Sequence, residues 1–408
     1  MHCDLNNFYA SVECMADPSL KDAYVAVCGN PSERHGIVLA KNTAAKKMGV
    51  KTGEAIWEAK QKCPQLVVVT PHFDQYVTYS NMVKDIYLSY TDRVEAFGLD
   101  ECWLDLTRYT DKSGKEIADE LRQKVKETTG LTISVGVSFN KIFAKLGSDI
   151  KKPDATTVLD RGNYKEKIFS LPVEELLMVG RRTRQELNRL NIYTIGDLAN
   201  ADDKLLSMRF GINGAKMKAF ASGEEDSPVT ANGMEGRVKS VGHGTTTKQD
   251  ITNLTMAKQT IYALAEMVAT RMRRYNLKGQ VAHINLRFND LEHKGKQCKL
   301  SSPTYCASDI AQSAYNLLRE IWNPSKDLPV RTLTVTMSCL TDANEGPRQC
   351  TFFDEVPQKE EKMERALDKI RARYGYSAVK RAILLDNVIL TDKFCEEDDL
   401  LPFKRNMP

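Results

Sequence analysis

The chain has 408 residues, 42% of them hydrophobic and 27% charged, with a formal net charge of +4. That length supports two to four packed domains, in the composition range of an ordinary soluble protein. No apolar run approaches the roughly 18 residues needed to span a bilayer and the Met1-His2-Cys3-Asp4 start lacks a signal peptide, so a cytoplasmic location is expected. The ten cysteines form no C-x-x-C pair, which argues against a zinc site and against a disulfide framework.

Short runs rich in β-branched or aromatic residues predict strands at Tyr24 to Cys28, Ile37 to Ala40, Leu66 to Val69, Val94 to Phe97, Cys102 to Leu106 and Thr132 to Val137. Helical spacing fills His72 to Tyr90, Lys115 to Thr128 and Asn140 to Lys151. This part reads as α+β, or mixed α/β, around one sheet. Residues 163 to 223 read as short helices separated by turns, and a linker with Pro228, Gly233 and Gly236 follows. Beyond it the order is strand (Ser240 to Lys248), helix (Thr255 to Tyr275), strand (Val281 to Phe288), strand (Gln297 to Ser302), helix (Ser308 to Ile321), strand (Arg331 to Cys339), a split βαβ unit. One helix, Lys359 to Arg373, is predicted in the tail, and the acidic run Glu396-Glu397-Asp398-Asp399 is expected to be disordered.

Charge is unevenly spread. Residues 237 to 341 hold 15 Lys/Arg against 7 Asp/Glu, whereas 342 to 408 hold 12 against 14. A locally basic domain points to a polyanionic partner, the alternative being a merely solvated basic face.

Two segments concentrate acid at predicted strand ends: Asp4-Leu5-Asn6-Asn7-Phe8-Tyr9-Ala10-Ser11-Val12-Glu13, and Gly98-Leu99-Asp100-Glu101 followed by Cys102-Trp103-Leu104-Asp105. Many acidic residues end strands only to stay solvated. Carboxylates massed at one sheet edge, however, repel one another unless a cation sits between them, and hard oxygen ligands select magnesium or manganese. Strand alternation sends Asp100 and Glu101 to opposite faces, so both reach one site only if the backbone bends; Gly98 permits that.

Both segments resemble the two carboxylate motifs of the Y-family translesion DNA polymerases. The likeness continues through Ser138-Phe139-Asn140-Lys141-Ile142-Phe143-Ala144-Lys145-Leu146-Gly147-Ser148-Asp149 and Lys151-Lys152-Pro153. It implies a right-hand polymerase: palm (1–10 and 73–161), fingers (11–72), helical thumb (162–223), linker (224–236), split-βαβ little finger (237–341) and a tail (342–408). Family members carry several strand residues ahead of the His-Cys-Asp segment, so a short first strand is expected here.

The resemblance implies that Asp4 and Asp100 bridge two magnesium ions, or manganese in their place, with Glu101 completing the site and the Leu5 carbonyl adding an oxygen. Tyr9 becomes the sugar gate that collides with a 2′-hydroxyl; read from the residues alone, it is equally a core aromatic. The amides of Asn6, Asn7, Phe8 and Tyr9, opening a helix, are expected to receive the triphosphate of a dNTP. Lys46 and Lys152 match the family's cationic phosphate contacts, and Thr43 is expected beside them at the nucleotide. The polymerase IV branch generally has Tyr and Arg where this chain has Thr43 and Lys46, and the polymerase V catalytic-subunit branch resembles this stretch better. Ile37 and Leu39 fall where the family roofs the nascent base pair, and are bulkier than in some relatives.

For primer-template DNA, Val173 to Asn200 resembles a helix-hairpin-helix that keeps only Gly180 of the usual glycine pair, with Met178 at the other place. In the basic domain Arg271, Arg273 and Arg274 end a helix, Lys278 follows, and Lys294, Lys296 and Lys299 crowd a predicted hairpin; backbone gripping is expected of them, the alternative being complementation of the helix dipole. Gln349-Cys350-Thr351-Phe352-Phe353 resembles the peptide by which bacterial polymerases dock on the sliding clamp, with Gln349, Phe352 and Phe353 as anchors. The expected activity is low-fidelity, template-directed synthesis across lesions by a monomer. A non-catalytic DNA- and clamp-binding relative and a two-metal nuclease remain the alternatives.

Overall fold

The computed structural model describes residues 1–30, 36–108, 111–233, 237–344 and 358–385. They fall into two compact units that divide near residue 235. Among them no helix is long and apolar enough to cross a membrane, and the cysteines are all free thiols.

The first unit holds two sheets where the strand pattern had suggested one. Strands β1 (His2–Leu5), β5 (Val94–Ala96), β6 (Glu101–Leu104), β7 (Ile133–Ser138) and β8 (Thr156–Leu159) form a five-stranded sheet in the order β5-β6-β1-β7-β8. Strands β2 (Val25–Cys28), β3 (Val38–Lys41) and β4 (Val67–Val69) pair only among themselves, in the order β3-β2-β4, with a core of their own around Ala26, Val38 and Cys63. Period-two apolarity marks a strand and not its partner, so it could not tell one sheet from two. Strand β8 was missed because its Thr156-Thr157-Val158-Leu159 carries too little alternation to stand out.

Strand β1 is central, antiparallel to β6 and β7 on either side. Helices Phe73–Leu88 and Gly114–Thr129 cover one face of this sheet and share with it a core of Leu5, Phe8, Tyr76, Leu104, Leu121 and Ile133. The second of these helices has both of its stop signals in sequence: a Ser113/Glu116 capping box at the start, and Gly130 at φ 75° at the end. Short helices from Tyr164 to Ser222 gather around Phe143, Leu187, Ile195 and Leu198. The predicted linker is tied down at its middle: the Thr230 amide donates to Glu95 Oε2 at 2.8 Å, and Asn232 N to Asp92 O at 3.0 Å.

The second unit is the expected split βαβ. Strands β9 (Ser240–Ile251), β10 (Leu277–Phe288), β11 (His293–Thr304) and β12 (Val330–Asp342) form an antiparallel sheet ordered β11-β10-β12-β9. Helices Leu254–Arg274 and Ala307–Ile321 bury Ile284, Leu286, Leu333 and Val335 beneath them. The tail helix, Gln358–Tyr374, turns charge inward instead of an apolar stripe: Glu364 and Arg371 are its buried residues.

Candidate active site and nucleic-acid surfaces

Asp4 and Glu101 are register partners across β1 and β6, and the Leu5 amide donates to the Asp100 carbonyl at 3.0 Å. The two acidic segments therefore meet at one end of the five-stranded sheet. The bend the sequence required is present: Gly98 has φ 103°, a conformation L side chains rarely adopt, and β6 begins only at Glu101, so Asp100 is released from strand alternation. Leu5 itself ends β1 with its side chain in the core.

Basic side chains from the helix Lys141–Ile150 and the segment after it face this acid. Lys145 donates to Glu101 Oε2, Lys141 donates to Glu95 at 2.7 Å, and Lys152 lies 2.8 Å from both Asp4 Oδ2 and Asp149 Oδ1. Lys141, Lys145 and Asp149 are spaced four apart, so one helix face presents all three; that i, i+4 pattern was readable within the quoted motif. His2 is fully buried, with Nδ1 2.8 Å from Ser148 Oγ and Nε2 3.4 Å from Glu101 Oε2.

Asp4, Asp100 and Glu101, with the exposed Asp149 beside them, thus face two ammonium groups, and their acidities divide accordingly. Burial, only partly offset by Lys152, pushes Asp4 up to about 7. Burial and then the Glu101 charge raise Asp100. Burial pushes Glu101 in the same direction, but His2 and Lys145 outweigh it and hold that carboxyl at about 2. Acid in excess of base, with two carboxyls driven upward, fits a place where divalent cations supply the missing positive charge.

Tyr9 is half-buried on the helix Phe8–Ala16 and stacks on Tyr76 at 4.2 Å with planes 9° apart. Burial and then the Asp100 charge raise its phenol. Asn7 caps this helix in the left-handed conformation (φ 49°), and its side-chain amide donates to Thr43 Oγ1 at 3.1 Å. The helix opening and the Thr43–Lys47 helix are thereby tied together, with Lys46 exposed on the latter. Asn6 requires a correction. Its backbone N–H is already used, donating to Thr132 O at 2.9 Å, and its side chain is held by Thr132 and Ser134, so it braces the turn and its backbone amide is not the one that meets a phosphate. Lys41 is a further cation at this site that no motif singles out: half-buried beside Lys46, it is lowered by burial and by that neighbour. Ile37 is exposed and Leu39 half-buried.

In the hairpin, Met178 takes φ 75° with its side chain exposed, so the left-handed turn that usually calls for glycine persists without one. Gly180 caps the helix Arg181–Arg189 from an extended conformation.

The basic residues of the second unit do not act as one patch. Arg273 is a correction: its side chain is 4% exposed, with Nε 2.6 Å from Asp368, Nη1 3.2 Å from Glu364, and a hydrogen bond donated to Tyr305 O, so its charge is spent on the tail helix. Lys278 is paired with Glu361 at 2.8 Å. Arg271 donates to Gly242 O at 3.1 Å, and Arg274 is exposed in the helix's last turn. Lys294, Lys296 and Lys299 share β11 but not a face: Lys294 and Lys296 pair in register with the buried Leu286 and Ile284, and Lys296 meets Glu320 of the covering helix, whereas Lys299 lies on the side away from the helices, opposite Val281. That side carries Thr332, Thr334, Thr336 and Ser338 beside Arg287, Asn285 and His283, with Gly242 and Gly244 on β9. Polar and half-buried, it is a surface that alternation within each strand encodes but that a charge count overlooks. Gln349, Phe352 and Phe353, and the acidic run from Glu396, lie outside the described residues.

Comparison with known proteins agrees with this geometry. Residues 3–149 match the impB/mucB/samB family, and 238–352 match the impB/mucB/samB family C-terminal domain. The chain is 47% identical over 390 residues to the DNA polymerase IV of Acetivibrio thermocellus, covering 95% of this chain and 97% of that one. It is 36% identical over 386 residues to the DNA polymerase IV of Moorella thermoacetica, covering 94% and 95%. A solved "Y-family DNA polymerase chimera Dbh-Dpo4(243-245)-Dbh" shares the fold, with a TM-score of 0.73 at 24% identity over 83% of this chain and 98% of that one. The chain belongs to the Y family of DNA polymerases, the impB/mucB/samB family. The relatives named here are polymerases IV, so the local likeness of Ala40 to Gly49 to the other branch does not reflect the chain as a whole.

Proposed function

We propose that this protein is a template-directed DNA polymerase of low fidelity that inserts deoxynucleotides opposite damaged templates, and that Asp4, Asp100 and Glu101 are its catalytic carboxylates. The observation that carries the assignment is the excess of buried acid where β1 and β6 meet. Polymerases of this family use divalent metal ions; magnesium bound by the three carboxylates and the Leu5 carbonyl would neutralise the attacking 3′-oxygen and the departing pyrophosphate.

The chain's own residues then divide the remaining work. Lys145 and His2 hold Glu101 ionised. Lys152, paired with Asp4, turns toward the incoming triphosphate, which Lys46, Thr43 and the amides of Asn7, Phe8 and Tyr9 at the helix opening also receive. Tyr9 excludes a 2′-hydroxyl. Residues 1–10 and 73–161 serve as palm, 11–72 as fingers, 162–223 as thumb and 237–341 as little finger. DNA phosphates are received by the hairpin at Gly180 and, in the second unit, by Lys299 on the sheet face away from the helices, with Arg271 and Arg274 at the helix end. The tail recruits a sliding clamp through Gln349, Phe352 and Phe353, and the polymerase works as a cytoplasmic monomer.

Primer extension with dNTPs and magnesium on intact and lesion-bearing templates tests the reading: elongation is expected, shortening would mark a nuclease, and no change a non-catalytic binder. A clamp pull-down with Gln349, Phe352 and Phe353 changed to Ala tests the tail, loss of capture being the expected result.

A further inference from the structure

We infer that Glu13 and Tyr76 are positioning residues for sugar selection: the buried Glu13 carboxylate fixes the Tyr76 ring, and that ring fixes the plane of Tyr9. The inference rests on the reading of Tyr9 as the sugar gate and extends it to the residues that make the gate stiff.

Tyr9 is only half-buried, so its ring is not locked on all sides by core packing. Its close parallel contact is Tyr76, at 4.2 Å and 9°. Tyr76 in turn is fully buried, edge-on to Phe73 at 5.6 Å and tilted against Phe8 at 6.0 Å. Its hydroxyl donates to Glu13 Oε1. Glu13 is itself 3% exposed and also receives the His72 amide at 3.2 Å, with His72 Nδ1 3.0 Å from Oε2. Glu13 stands four residues after Tyr9, one helical turn on, so the carboxylate lies behind the ring it serves.

A phenylalanine at position 76 with an apolar residue at position 13 would fill nearly the same core volume with no buried charge to satisfy. A carboxylate buried to this degree is costly unless it is fully hydrogen-bonded, and charge-assisted bonds to it are the strong ones. The arrangement therefore does something packing alone would not: rotation of Tyr76 breaks a bond to a buried anion, so the ring resists displacement. Steric exclusion depends on that resistance. A 2′-hydroxyl arriving against an unsupported Tyr9 would push the ring aside, whereas a deoxyribose makes no such demand, so weakening the support should act on ribonucleotides selectively.

The test is single-nucleotide insertion kinetics with matched dNTP and rNTP for wild type, Tyr9→Ala, Tyr76→Leu, Tyr76→Phe and Glu13→Gln. Discrimination, as the ratio of the two kcat/KM values, should fall most in Tyr9→Ala, by about 10-fold or more in Tyr76→Leu, and by about 3-fold or more in Tyr76→Phe and Glu13→Gln. The change should come from better ribonucleotide insertion. Tyr76→Phe preserves the packed volume, so the inference can be judged even if Tyr76→Leu misfolds. An unchanged ratio in Tyr9→Ala would sink the gate reading itself. A changed ratio in Tyr9→Ala with unchanged ratios in Tyr76→Phe and Glu13→Gln would overturn the present inference alone, as would equal losses of dNTP and rNTP insertion in those two variants.

Discussion

Each compact unit contains a cluster of buried charge, and the two clusters are built to different accounts. In the first, Asp4, Asp100 and Glu101, with the exposed Asp149 at their margin, face Lys145 and Lys152. In the second, Glu266, Glu361, Glu364 and Asp368 face Arg273, Lys278, Arg371 and Arg381: Arg381 Nε is 2.7 Å from Glu266, Arg371 3.1 Å from the same carboxylate, and Arg381 also reaches Glu364 at 2.5 Å. The second cluster is neutral and complete, a fastening of the tail helix to the helix Leu254–Arg274. The first carries surplus acid and two carboxyls driven upward. Balance marks charge that holds a structure together; imbalance in a buried place marks charge waiting for a partner.

The largest effects should come from emptying the unbalanced cluster. Asp4→Ala and Glu101→Ala should each lower primer extension by several orders of magnitude while primer-template affinity, read by fluorescence anisotropy, stays near that of wild type. Lost affinity together with lost circular dichroism would mean instead that the sheet end had unfolded.

Breaking the balanced cluster should do the reverse. Arg273→Ala removes the arginine from Asp368 and one of the two arginines from Glu364, and should destabilise the second unit by about 3–5 kcal/mol, with loss of amide protection over 358–374 in hydrogen exchange. The salt dependence of DNA binding should keep its slope, because this arginine faces the tail helix and not phosphate; a flatter slope would return Arg273 to the DNA surface.

A smaller, pH-dependent effect follows from Asp4. Its carboxyl is raised from 3.8 to about 7 on folding, so the stability it contributes is present below its unfolded value and lost as the pH climbs through 7. Without metal, Asp4→Asn escapes that loss. The variant should melt roughly 2–6 °C above wild type at pH 8, and the difference should shrink toward pH 4. Equal melting at pH 8 would show that Asp4 is not under strain. Lys299→Ala should have the mildest effect, flattening the salt dependence of DNA binding by roughly one unit of slope if the sheet face away from the helices meets phosphate.

The unequal legibility of the two clusters has a physical reason. Asp4 and Asp100–Glu101 sit in contiguous motifs, each with its turn and strand, and Gly98 even announced the bend. Lys145 and Asp149 lay in a quoted motif at helical spacing, yet their ion pairs depend on where the helix meets the sheet. Arg273 shows the limit more sharply: its place at a helix end was evident, but Asp368 is 95 residues away, and nothing local says that a distant helix will dock charge-first. Glu13 and Tyr76, 63 residues apart, escaped for the same reason. At Met178 the glycine pattern failed although the backbone kept its shape, since a left-handed residue disfavours a side chain without forbidding it.

The central claim is that the surplus acid at the end of β1 is a divalent-metal site, and it is tested most directly by thermal melting at pH 8 as magnesium is added with a dNTP, comparing wild type with Asp100→Asn. The account predicts that magnesium raises the wild-type melting temperature through the first unit and leaves the variant nearly unmoved. Equal stabilisation of both would contradict it.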